Sequence, residues 1–567
     1  MEPYNGASVW TKGKWLDPEE AFRNIWKRIP SHCRMAMIAI FVAGLVTHMF
    51  FIVNKLPNGD DLSELYHFNS MISSGRWLDI VSKGLTMYYS LPWATGLVCL
   101  MLLAVSGALI CDVMGLRRRS CIIAAASILV AFPIMASYFS YLYYMDLYML
   151  TLLFNVWAVW LAQRRKWGFV LGAALIAFGL GNYQAYLGVT AVLCLLVLIR
   201  SCLNGEGNTS RVLMLALRFV IMGVMGLALY FLILRGFLMF FAASLSGYQG
   251  VAGMGASAAD PASLFGIVKS AYKGFLDYFY QDRFFASPLA VKCLYSLLLA
   301  LSLAWLFVAS YRRFHEKRSQ DSIGRLVLLP IFLVALPIGY NLIYFMAPDA
   351  YLHSLMQPQY SLFWLMPIMF FELAYPAPSR GKQTIDGEDG EEEVKTAVVK
   401  TVGERRRTAI FQCMTHWLLL LAVAGMVYYY FLIVNISYLH LHLKYEITYA
   451  TELRILDRVE ALPDYHTDTV VCVVGAFPNG NMSLYPYHTQ DIVKGLVGIN
   501  GNLVHHYYNY NGFYKNYLGR QLNLLMDDDE WKMSILAWPE VLEMPLWPKE
   551  GSVAMVRGVA VIKINEP

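Results

Sequence analysis

The chain has 567 residues, of which 57% are hydrophobic and only 15% charged, against about 25% charged in ordinary soluble proteins. That much apolar side chain exceeds what a soluble fold of this size buries, which excludes a soluble enzyme, a disordered chain and a small disulfide scaffold. A polytopic helical membrane protein remains, and the net charge of +5 matters less than where the charges fall.

In chain order, residues 1–34 form a polar, basic, cytoplasmic amphipathic N-terminus. Asp17-Pro18-Glu19-Glu20 reads as an N-cap and an acidic first turn. Phe22, Ile25, Trp26 and Ile29 then share a face flanked by Arg23, Lys27 and Arg28, the pattern of a helix lying on the inner leaflet. No cleavable signal peptide is evident, because the first apolar run is itself long enough to span. Apolar runs bounded by charge predict eleven transmembrane helices, at 35–53, 93–113, 120–139, 145–162, 167–181, 184–200, 212–234, 287–310, 326–345, 359–375 and 409–435. The fifth is short and breakable at Gly179 and Gly181, and 236–285 is apolar enough to hold a re-entrant segment.

Basic residues gather in alternate connections: Lys12 to Arg34, Arg117-Arg118-Arg119, Arg164-Arg165-Lys166, Arg200 with Arg211, Arg312 to Arg318, and Arg380 to Arg407. The connections 140–144, 182–183 and 346–358 hold none. The basic side is therefore cytoplasmic, which puts loops 54–92 and 235–286 and the tail 436–567 outside. The charge run 381–407 reads as a solvated linker. In the tail, 444–461 reads as a helix, 469–475 as a buried strand, and 551–564 as two strands broken at Arg557-Gly558. A small α/β extracytoplasmic C-terminal domain is expected. Of nine cysteines only Cys472 lies in that polar tail, so no disulfide framework is encoded.

The chemistry points to the first outer loop. Pro57-Asn58-Gly59 turns the chain directly after the first span and sets Asp60 and Asp61 at the membrane boundary, with Glu64 following. Leu62, Leu65, Phe68 and Met71 sit at helical spacing before Gly75-Arg76-Trp77, predicting short amphipathic helices along the outer interface. An acidic pair there suits a general base, and repulsion between neighbours raises one pKa; helix capping is the alternative role. Asp146 begins the fourth span on the same side, and a carboxylate within a span costs about 2.5–3.5 kcal/mol unless paired or functional. Asn182, Tyr183 and Gln184 bridge spans five and six, where amide and phenol groups suit sugar hydroxyls or simply cap a turn. Lys273 and Arg283 are the candidate phosphate cations of the large outer loop, with interfacial anchoring as the alternative, and His353 is a weaker candidate. Ligand spacing for zinc is missing around His440, His442, His505 and His506, and there is no Walker motif, nucleophile elbow or dinucleotide fingerprint. No metal, cofactor or nucleic acid is expected.

In their order, Asn58-Gly59-Asp60-Asp61, Gly75-Arg76-Trp77, Asp146, Gly181-Asn182-Tyr183-Gln184-Ala185-Tyr186 and the closing Pro548 to Ile564 resemble the GT-C class of membrane glycosyltransferases. Within it, the chain is similar to the bacterial family typified by the O-antigen-modifying glucosyltransferase II. The resemblance is weak over 236–285 and 462–547, and the loop holding Ala347-Pro348-Asp349 carries His353 where the family has a basic residue. It implies a GT-C-like module over 35–435 in the bacterial inner membrane. It also implies a polyprenyl-phosphate-linked hexose donor, with glucose first in line, and an extracytoplasmic cell-envelope glycan, itself lipid-linked or not, as acceptor. Asp60 or Asp61 would deprotonate the acceptor hydroxyl for an inverting attack, Arg283 or Lys273 would hold the leaving phosphate, and Asp146 would orient acceptor or base. Glu64, Arg76, Asn182, Tyr183, Gln184 and His353 would line the substrate site. The competing reading is a transporter or flippase of lipid-linked glycans, which predicts midplane charges and symmetric halves.

Overall fold

A computed structural model of the protein describes residues 17–66, 70–204, 208–247, 261–316, 320–347, 352–376, 393–477 and 491–566. Phe68, Pro348-Asp349 and the acidic run 386–392 fall outside them. Among the described residues, eight helices are long and apolar enough to cross a membrane: Ser31–Val53, Pro92–Met114, Met145–Arg164, Gln184–Asn204, Thr209–Phe240, Leu289–His315, Ile323–Tyr340 and Ala409–Glu460.

The difference from eleven has local causes. The run 120–139 divides into Arg119–Ala131 and Ile134–Phe139 because Pro133 offers no amide hydrogen and disfavours helical backbone at Phe132. Gly168–Asn182 is helical for only 15 residues. The run 359–375 becomes a 3-10 stretch, Pro358–Leu365, followed by Met366–Ala374. Each is apolar and falls short of ~20 unbroken helical residues, yet each still joins the two ends of the bundle, since Arg118, Arg164 and Glu372 lie at the basic end and Ser140, Asn182 and Ser354 at the other. Helix Pro18–Arg28 starts on Pro18 and buries no residue, and Phe22 and Trp26 are exposed.

The last helix, Glu393–Glu460, has 68 residues. At about 1.5 Å per residue it is roughly three times as long as the ~30 Å hydrocarbon core. Arg405-Arg406-Arg407 and the expected helix 444–461 are both part of this one rod. It leaves the bundle and buries Ile455, Leu456 and Val459 against a four-stranded sheet. The sheet comprises β1 (Val470–Val474), β2 (Asn523–Leu524), β3 (Val553–Val556) and β4 (Val559–Lys563), in the order β2-β1-β4-β3. β1 runs parallel to β2 and β4, and β3 pairs antiparallel with β4 through a turn at Arg557-Gly558, both with positive φ.

The basic residues collect at the opposite end of the bundle. There Asp112 accepts from His32, Trp160, Arg117 and Arg164, and Glu372 accepts the backbone N–H groups of Arg117 and Arg118.

Candidate active site

The loop after helix Ser31–Val53 is built around two side chains. Asn58 Oδ1 accepts the N–H groups of Asp60 (2.7 Å) and Asp61 (3.1 Å), while its Nδ2 donates to the carbonyl of Ser140 (2.8 Å). Asp61 closes the turn: its carboxylate accepts from the Asn58 N–H (2.9 Å) and the Tyr143 N–H (3.0 Å). An Asn that bonds the backbone two residues ahead is a turn former, so Pro57-Asn58-Gly59 fixes the geometry locally and Asp61 ties it to loop 140–144. Asp61 is 1% exposed. Burial lifts its carboxyl to about 7 against the pull of those N–H groups, with the neighbouring charge of Asp60 a smaller influence. Desolvation, more than repulsion within the pair, is the principal cause.

Asp60 faces the other way. It lines a cavity of about 530 Å³, within the usual range for small-molecule sites. Its Oδ1 lies 3.3 Å from the Tyr508 hydroxyl. Burial raises its carboxyl above the ordinary range, opposed by that hydroxyl and by His506.

The wall beyond Met71 carries Arg76. Gly75 turns the chain there with φ +78°, where a Cβ would meet the Tyr230 hydroxyl at 2.5 Å, so this position requires glycine. The Arg76 guanidinium stacks over Tyr183 (4.7 Å) and Tyr144 (5.4 Å) and touches Met71 Sδ. Such an aromatic cage orients a planar cation with little hydration, leaving it ready for an anion. Gln184 donates to the Ser74 carbonyl and to Tyr230, whose hydroxyl donates to the Gly75 carbonyl. Asp79 accepts the Met71 N–H, and burial lifts it to about 7.

Of the residues singled out from the sequence, Asp60, Glu64, Arg76, Tyr183, Gln184 and His353 line this one cavity. His353 is held down to about 4 by burial and by Arg76, hence neutral at pH 7. Asp61 lies behind the wall in the turn. Asp146, also off the cavity, lies 3.6 Å from Lys83, and both are buried. Asn182 is fully buried, accepting from Ser82 through its side chain and from Tyr144 through its carbonyl. Lys273 is exposed on helix Pro261–Tyr280. Arg283 donates to the Leu352 carbonyl beside a separate small void; neither cation lines the main cavity. Lys83, Tyr141, Tyr143, Tyr508 and Val497 join the site or its support without a local sequence signal of that role. A tyrosine-rich run over 138–148 was visible, but nothing in the chain signalled that the tail would reach the first loop.

Metal ligands are poorly provided. Asp61 spends both carboxylate oxygens on N–H groups. Among the described residues, His32, Cys33 and Asp112 lie close enough to share an ion, yet Arg117 and Arg164 already occupy Asp112 and would repel one.

These features define a class: a multi-pass helical membrane protein with a substrate-sized pocket, holding a few charged groups among aromatic and apolar side chains, at one end of its apolar bundle. The Glucosyl transferase GtrII family model matches residues 49–371, more than half of the chain, and the protein belongs to that family. It is accordingly a glycosyltransferase, with a sugar donor and an acceptor as substrates. No curated protein and no solved structure matches the chain.

Proposed function

We propose that the protein transfers glucose from a polyprenyl-phosphate donor to a cell-envelope glycan on the outer face of the bacterial inner membrane. The carrying observation is that a carboxylate held above its ordinary range, Asp60, and a caged guanidinium, Arg76, line the same cavity. Inverting transfer needs a base for the incoming hydroxyl and a cation for the departing phosphate on opposite sides of one sugar. The outer location rests on the basic clusters, which gather at the far end of the bundle. In this reading residues 1–34 are a cytoplasmic anchor, 35–435 the catalytic module with loop 54–92 at its mouth, and 436–567 an extracytoplasmic α/β domain.

Asp60 takes the proton of the acceptor hydroxyl as that oxygen bonds to the anomeric carbon. The bond from carbon to phosphate oxygen breaks, and the lipid phosphate leaves with the electron pair beside Arg76. Arg76 replaces Lys273 and Arg283 as phosphate partner, because only it lines the cavity. Glu64, Tyr183 and neutral His353 offer hydrogen bonds to the hexose. Asp61, Gln184 and Asn182 hold the walls, and Asp146 with Lys83 fastens helix Asp79–Lys83 to helix Met145–Arg164.

The test supplies the purified full chain in proteoliposomes with radiolabelled polyprenyl-phosphate-glucose and envelope glycan, comparing wild type with Asp60→Asn. Transfer by wild type and its collapse in the variant is the expected result. Full activity in Asp60→Asn removes the base assignment; transfer from UDP-glucose alone removes the lipid donor; lipid translocation without transfer establishes the flippase.

A further inference from the structure

The segment after the last span grips the catalytic loop rather than hanging from the bundle. Helix Tyr507–Tyr517 lies across residues 59–66: Asn509 Nδ2 donates to the Gly59 carbonyl (2.8 Å), Asn516 Nδ2 to the Leu62 carbonyl (2.8 Å), and Tyr66 donates to Asn516 Oδ1 (2.5 Å). A Cβ at Gly512 would come within 2.8 Å of the Leu62 backbone, so only glycine permits the approach. Leu62 itself, 0% exposed, is part of the tail's hydrophobic core with Val471, Phe513 and Ile562. On the opposite rim, the Val497 N–H donates to Ser354 Oγ (3.0 Å), next to His353. Tyr508 and Val497 line the cavity, yet both lie outside the family-matched stretch 49–371.

We propose that segment 497–516 completes the subsite for the acceptor sugar, and that Tyr508 is a positioning residue for Asp60. The inference rests on Asp60 being the base. The tail lies against the carboxylate that receives the acceptor's proton, whereas Arg76, the phosphate partner, sits among Met71, Tyr144 and Tyr183. The Tyr508 hydroxyl donates to Asp60 Oδ1, which turns Oδ2 toward the acceptor hydroxyl. The acceptor proton passes to Oδ2 as the oxygen–carbon bond forms, the phosphate leaves with its electrons, and the proton is later lost to water. Tyr508, 42% exposed and stacked on His506 by one side of its ring, offers the other as a stacking face for a pyranose, the usual partner of an aromatic side chain in sugar recognition. Acceptor choice is thereby assigned to a part of the chain that the common family region lacks.

The test uses full-length protein with Tyr508→Phe, Tyr508→Ala, the exposed Lys515→Ala and Asp60→Asn, with extracted envelope glycan and polyprenyl-phosphate-glucose varied in turn. Tyr508→Phe keeps the ring and should lower kcat about tenfold with the donor KM unchanged. The groups near Asp60 are Tyr508 and His506 of the tail, Asp61 of its own loop, and Tyr143. Removing the hydroxyl should therefore move the acid limb of the kcat profile to higher pH. Tyr508→Ala should additionally raise the acceptor KM, on the order of fivefold, and Lys515→Ala should match wild type. If Asp60→Asn abolishes transfer while both Tyr508 variants keep wild-type kcat, acceptor KM and pH profile, the inference falls and the proposed function stands. A rise in donor KM, or losses in Tyr508→Phe that only track a lower melting temperature, also overturns it. Full activity of Asp60→Asn overturns the base assignment itself.

Discussion

The two ends of the bundle treat a carboxylate in opposite ways. At the basic end, Asp112 is 3% exposed and surrounded by His32, Trp160, Arg117 and Arg164, with Oδ1 and Oδ2 both engaged. At the cavity end, Asp60 has a phenol at 3.3 Å and its cation, Arg76, stands elsewhere on the wall. A carboxylate neutralised on both oxygens is fixed and inert, and its gain is architectural. One that is desolvated but left short of partners is held ready to take a proton. Asp61 resembles Asp112 in having both oxygens engaged, by two backbone N–H groups in place of cations, although it is the immediate neighbour of the catalytic candidate in sequence.

The sharpest way to break the contrast is to neutralise each carboxylate. Asp60→Asn should reduce the transfer rate by about 10²–10⁴-fold, the usual worth of a positioned base, with little change in melting temperature. Arg76→Ala comes next, at about 10²-fold or more in kcat, since it removes the charge facing the leaving phosphate. Arg76→Lys should recover only part of that, because an ammonium cannot lie flat between Tyr144 and Tyr183. A lysine variant as active as wild type would mean that the cage does not orient the cation.

Asp61→Asn tests whether the second carboxylate is a brace. An amide offers one acceptor where the turn supplies two N–H donors, so one is left unmet at a cost of about 1–3 kcal/mol. The rate should fall about tenfold as Asp60 drifts, well short of the Asp60 effect. The pH dependence separates the roles further. Because Asp61 sits at about 7 in the fold against 3.8 ordinarily, its contribution to stability is fully present below 3.8 and is lost as pH rises through 7. Wild-type melting temperature should therefore fall across that window, and Asp61→Asn should flatten the slope without abolishing it, since Asp79 is shifted alike. An unchanged slope in the variant would place the titration elsewhere.

How much of this could be read from the chain follows the range of the forces. Spans were legible because the bilayer imposes a length and a polarity on local sequence. The number of unbroken helices was not, since Pro133 and the 3-10 stretch Pro358–Leu365 divide apolar runs into shorter pieces. Asp60, Arg76 and Gln184 were legible as polar residues beside turns in otherwise apolar surroundings. The ranking of Asp60 against Asp61, and of Arg76 against Arg283, depended on which way each side chain points. The hold of Tyr508 on Asp60 spans 448 positions, and no local pattern encodes such a contact.

The smallest effect on chemistry is expected at the basic end. Asp112→Asn keeps the shape and one acceptor but removes the charge that gathers Arg117 and Arg164. Those two cations are 41% and 42% exposed, so solvent screens much of the lost attraction, and the net cost should be about 1–2 kcal/mol. That is a few degrees of melting temperature in a protein of this size, with kcat within about twofold of wild type. Raising the salt concentration should shrink the difference between Asp112→Asn and wild type, since screening acts on the charge alone. The opposite result, a fall in kcat at unchanged melting temperature, would mean that the basic end takes part in turnover. The division of labour between the two ends would then have to be abandoned.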